Sequence, residues 1–140
     1  MDLCNINEIK ALLARHGFHF SKAKGQNFLI APWVPESIAA QAGVDETVGV
    51  LEIGPGIGTL TVALLDHGTV VSVERDEDLL PVLAETTAFH SDRYRVINED
   101  ALKLQRPQLE EAYAALGAPL PTMLVANLPY AVAATVILDW

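Results

Sequence analysis

Cysteine is almost missing from this chain of 140 residues. Cys4 stands alone, so no internal disulfide can form, and a reducing compartment, the cytoplasm, is the expected setting. The four histidines (His16, His19, His67, His90) are scattered and, with one cysteine, make neither a zinc cluster nor a catalytic triad; no metal is expected. No unbroken apolar run spans a bilayer: the stretch from Met123 to Leu138 is interrupted by Asn127 and Pro129. Met1 to Asn5 lacks the charged and apolar regions of a signal peptide. Neither export nor a membrane partner is expected. Positive charge is scarce as well, 9 Lys and Arg against 18 Asp and Glu, for a formal net charge of −9. That balance argues against a nucleic-acid partner inferred from charge alone. Internal repeats and low-complexity tracts are also absent.

What is present is apolar: 51% of the residues are hydrophobic, enough for a sheet covered on both sides by helices. A first helix is expected from about Ile6 to His16, stopping at Gly17, then a loop through Gly25-Gln26-Asn27 and a second helix to about Ala42. Strands near 48–53, 70–74, 94–98 and 122–126 then alternate with helices near 59–67, 78–87 and 107–116. This alternation predicts an α/β fold with a parallel sheet and right-handed crossovers. An amino-terminal helical segment, 1–46, precedes a core, 47–140.

Chemistry gathers where the expected strands end. Val50 to Thr61 reads VLEIGPGIGTLT, with Gly54, Gly56 and Gly58 between a strand and a helix start. Such glycines let the backbone turn sharply and approach a ligand closely, and the helix start offers N–H groups. A dinucleotide fingerprint needs its third glycine five residues after the first, where this chain has Thr59, so an NAD-linked oxidoreductase is disfavoured. Glu52 beside the first glycine suits a cationic ligand such as S-adenosylmethionine better than a pyrophosphate. Glu74 ends the next strand, placed to accept both hydroxyls of a ribose, and Asp100 follows the third, placed to accept an adenine amine. Each acidic position alone reads equally well as a solvated charge. Three consecutive strand ends of this kind favour a site. The fourth strand ends on Asn127-Leu128-Pro129-Tyr130, hydrogen-bond acceptors and a flat ring suited to an exocyclic amine on a heterocycle.

Taken in order, KGQNFL (Lys24 to Leu29), LEIGPGIGTLT, VERD (Val73 to Asp76), EDAL (Glu99 to Leu102) and ANLPY resemble the ribosomal RNA adenine dimethyltransferase family over nearly the whole chain. The resemblance implies a Rossmann-like, class I S-adenosylmethionine-dependent methyltransferase fold and dimethylation of adenine amines in small-subunit ribosomal RNA. Pro55 and Leu128 resemble the housekeeping branch more than the large-subunit enzymes of macrolide resistance. A non-catalytic RNA-binding or transcription-factor role on the same fold is the other alternative. Carried over by residue, the family's cofactor positions match Asn27, Leu29, Gly54, Glu74, Asp100 and Asn127, with Gln26, Gly56, Arg75 and Ala101 beside them. In the catalytic tetrapeptide, the Asn127 amide oxygen and the Leu128 carbonyl would accept the amine protons, Pro129 would stiffen the turn and Tyr130 would stack on the base.

Two features depart from the family. Residues 1–30 carry net +2 and the remainder −11, so basic charge is confined to Lys10, Arg15, Lys22 and Lys24. Lys22 and Lys24 are placed to meet phosphate, or are ordinary solvated lysines. The family continues past Trp140 with further strands, a second aromatic and a helical domain, and has a proline where this chain has Ala134-Thr135-Val136. The expectation is an incomplete, monomeric methyltransferase core ending in a helix after the tetrapeptide, with cofactor residues retained and little activity alone.

Overall fold

The computed structural model describes residues 3–17, 49–118, 120–121, 123–128 and 132–137. The expected second helix, Lys22, Lys24, Gln26, Asn27, Leu29, Pro129 and Tyr130 lie outside the described residues. Helix α1 (Ile6–Arg15) starts where Asn5 accepts the backbone N–H groups of Asn7 and Glu8 at 2.9 and 3.3 Å, satisfying donors that a helix start leaves unpaired. The core then runs β1 (Gly49–Ile53), α2 (Thr59–Leu65), β2 (Thr69–Glu74), α3 (Leu80–Thr86), β3 (Tyr94–Asn98), α4 (Arg106–Ala115), β4 (Met123–Leu128) and β5 (Val132–Ile137). Short 3-10 turns at Glu77–Leu79, Ala88–Arg93 and Ala101–Lys103 join them.

The sheet order is β3-β2-β1-β4-β5. Strands β1 to β4 are parallel, as the alternation predicts, and both faces of the sheet are covered. On one face Val50, Val70, Tyr94 and Val125 pack against Leu60, Leu64 and Leu65 around α2. On the other, Leu51, Val71 and Val73 pack against Leu109 and Tyr113 of α4. Helix α1 docks through Ile9, Leu12 and Leu13 on Ile57, Leu79 and Val82, and so backs the glycine turn from outside.

The segment after the tetrapeptide differs from expectation. Residues 132–137 form a strand antiparallel to β4, not a helix. Val132, Thr135, Val136 and Ile137 are β-branched, and such side chains lose rotamer freedom against the preceding turn of a helix but fit a pleated surface.

Candidate active site

The connection from β3 to β4 carries the chain across to the far side of β1, so the topological switch point falls between β1 and β4. Open α/β sheets bind ligands in the crevice outside the carboxyl ends of their strands at such a point. Ile53 pairs with both Val73 and Ala126, which sets Gly54 and Asn127 at adjacent register positions. Glu74 pairs with Asn98, and Asp100 follows two residues later. The described candidates Gly54, Gly56, Glu74, Arg75, Asp100, Ala101, Asn127 and Leu128 therefore share one edge of the sheet.

The turn after β1 has left-handed backbone at Gly54, Gly56 and Gly58, with φ of 70, 59 and 94°. It is pinned from the neighbouring strand: the Gly54 N–H donates to the Val73 carbonyl at 3.1 Å. Gly58 has a packing reason of its own, because a Cβ there would stand 2.6 Å from the Thr86 hydroxyl of α3. Its role is to let two helices approach, not to admit a ligand.

Glu74 reaches back over this turn. Its Oε2 accepts the Asp76 N–H at 3.1 Å. Burial pushes its carboxyl above the usual range, while backbone N–H groups of Asp76, Gly56 and Arg75 pull it down. The side chain is thus a pre-set acceptor beside the glycines. Asn98 donates to the carbonyls of Glu74 and Arg75 at 2.9 and 3.3 Å and fixes the strand end behind it. Asp100 is half-buried; its Oδ1 caps the next turn by accepting the Leu102 N–H at 3.0 Å. Arg75 and Ala101 are exposed beside these carboxyls. Among the described residues, no group of three His, Cys, Asp or Glu side chains is arranged to hold a metal ion.

Glu52 is not where a ligand-facing carboxylate would be. It is fully buried on the α2 face of the sheet, where its Oε1 accepts the hydroxyls of Thr61 at 2.5 Å and Ser72 at 2.7 Å. Side chains alternate along a strand, so Glu52 shares the inward face with Val50 instead of joining the glycine turn at the surface. Sequence reasoning missed Thr61 and Ser72. Their signal was there: Ser72 is the single polar residue between valines in Val70-Val71-Ser72-Val73.

This sheet, with a glycine turn and acidic strand ends at its switch point, has the class I methyltransferase fold. Solved structures share it, among them a 23S rRNA methyltransferase, ErmE (28% identity, TM-score 0.51, covering 69% of this chain and 46% of that one). A dimethyladenosine transferase from Plasmodium falciparum has the same fold (22% identity, TM-score 0.53, covering 69% and 41%). Residues 17–140 match the model of the family described as ribosomal RNA adenine dimethylase, and the chain belongs to that family. Its relatives include proteins named ribosomal RNA small subunit methyltransferase A from Streptococcus thermophilus, 39% identical over 99% of this chain and 47% of that protein. The protein of that name from Macrococcus caseolyticus is 41% identical over 98% and 46%. The chain spans about half the length of these relatives.

Proposed function

We propose that this chain is the cofactor-binding part of an S-adenosylmethionine-dependent enzyme that dimethylates adenine amines in small-subunit ribosomal RNA, working in the cytoplasm. The observation that carries the reading is the single edge on which the glycine turn, the Glu74 carboxyl and Asn127 meet at the switch point. The residues present fit the cofactor. The edge offers carboxyl acceptors at Glu74 and Asp100 for hydroxyl and amine donors, and left-handed glycines where a side chain would obstruct a close ligand. A pyrophosphate would meet like charge there.

When bound, the cofactor supplies an electrophilic methyl group on a good leaving group. The chain's own residues do the rest. Glu74 holds the ribose and Asp100 the adenine amine of the cofactor, with Gly54, Gly56, Arg75 and Ala101 lining the cleft and Gln26, Asn27 and Leu29 completing it. The substrate nitrogen is a poor nucleophile because its lone pair is delocalised into the ring. Acceptance of its two protons by the Asn127 amide oxygen and the Leu128 carbonyl favours a tetrahedral nitrogen and stabilises its developing positive charge. Pro129 stiffens that turn. Tyr130 stacks on the base, a contact typically worth about 1–3 kcal/mol, which holds the nucleotide out of its helix. Positioning nitrogen, methyl and sulfur in line supplies much of the remaining acceleration.

The test is methyl transfer to undermethylated small subunits by the full-length protein. Asn127→Ala is expected to abolish it; retained dimethylation would refute the assigned chemistry. Residues 1–140 alone are expected to show little or no turnover.

A further inference from the structure

A carboxyl with no exposed surface lies directly under the proposed donor site. Glu52 stands two residues before Gly54, and only one of its oxygens is used: Oε1 takes both hydroxyl donors, while Oε2 is buried without a hydrogen-bond partner. A second buried orphan, the Tyr94 hydroxyl of β3, is close by. The groups that face Glu52 are Thr61 from α2, Ser72 and the Glu74 carboxyl from β2, Tyr94 from β3, and, by register, Val125 from β4. None of these is a cation. A buried carboxylate with no positive partner is costly, so the neutral acid is favoured until positive charge arrives nearby.

We propose that Glu52 is a charge-sensing positioning residue for the methyl donor: neutral before the donor binds, it releases its proton to solvent when the sulfonium settles over the Gly54 to Gly58 turn, and regains one after methyl transfer. This inference rests on the function proposed above. The balance is simple. On binding, the carboxyl O–H breaks, the proton goes to water, and the new carboxylate matches the donor's positive charge. In the transfer the S–CH3 bond breaks, the N–CH3 bond forms and the amine loses a proton to water. The sulfur is then an uncharged thioether, and the Glu52 carboxylate takes a proton back from solvent. Burial pushes Glu52 up to about 7, against the Thr61 and Ser72 hydrogen bonds and with help from the Glu74 charge, so both states are within reach near neutrality. Throughout, Oε1 keeps α2 and β2 clamped beneath the turn. The site would thus hold the charged donor more tightly than its neutral product.

The experiment is calorimetric titration of the full-length protein with S-adenosylmethionine and with S-adenosylhomocysteine, near pH 6 and near pH 8. Each titration is run in two buffers of different ionisation enthalpy, so that protons released are counted. Near pH 6 the sulfonium ligand is expected to release close to one proton more than the thioether. Its affinity is expected to rise towards pH 8 by about tenfold for each unit by which it lowers the Glu52 carboxyl. Glu52→Gln keeps an acceptor for Thr61 and Ser72 and should lose the proton difference. Equal proton counts for the two ligands in the wild type overturn the inference alone, as does a difference that survives in Glu52→Gln. Binding of neither ligand overturns the proposed function as well. If Glu52→Gln fails to fold, the wild-type counts decide.

Discussion

Beneath α4 the sheet presents Leu51, Val71 and Val73, and the one polar atom of the facing helix, the Tyr113 hydroxyl, donates to the Val50 carbonyl. One residue along each strand, beneath α2, the same sheet presents Val50 and Val70 but also Glu52 and Ser72. The first face is an apolar seam whose single donor is satisfied. The second holds a carboxyl with an unpartnered oxygen. Both faces are equally dry, so the difference is not one of solvent access. It lies in what is above: the α2 face runs up to the glycine turn and the acidic strand ends, and polar groups that cost stability in a core are retained where a charged ligand can use them.

Four substitutions would break or sharpen this contrast. The largest effect is expected on the apolar face, where Tyr113→Ala removes a buried ring and should cost about 3–5 kcal/mol in urea unfolding, with no dependence on pH between about 5 and 8. On the polar face the signature is pH itself. Glu52 ionises at about 7 in the fold against 4.5 for the ordinary carboxyl, so the folded state binds the extra proton. Its contribution is fully present below about pH 4.5 and is lost as pH rises to about 7, a change of about 3 kcal/mol. Glu52→Gln should flatten that slope; an unchanged slope would place the titration elsewhere. Ser72→Val removes one of the two donors to the same oxygen and should cost about 1–3 kcal/mol, more near pH 8 than near pH 5. Away from both faces, Arg15 and His16 pair with Glu85 at 2.6 and 3.1 Å and join α1 to α3. Arg15→Ala should cost less than about 1 kcal/mol, because this pair is solvent-exposed. A larger loss would mean that α1 contributes more to holding the glycine turn than its apolar contacts suggest.

The four parallel strands were legible within about two residues at each end, because apolar runs bounded by glycine, Glu74, Asn98 and Asn127 leave little freedom in where a buried strand stops. The shared edge was legible too, since alternation of strand and helix forces a parallel sheet. Two things were not. Residues 132–137 were expected as a helix by continuity with the family, although their own β-branched side chains favour the strand that forms. Glu52 was expected at the turn by its nearness in sequence to Gly54, whereas period-two alternation with Val50 turns it into the core. In both cases local pattern outweighed a motif-level expectation. Fold alone does not establish chemistry, so the site must be tested through its residues.

The most direct test of the central claim, that the strand ends form a site for S-adenosylmethionine, is a titration of the full-length protein with that ligand and with NAD, in the wild type and in Glu74→Ala. The account predicts binding of S-adenosylmethionine and not NAD, weakened at least about tenfold when the carboxyl that faces the Gly56 N–H is removed. Equal affinity in Glu74→Ala, or preference for NAD, would contradict it.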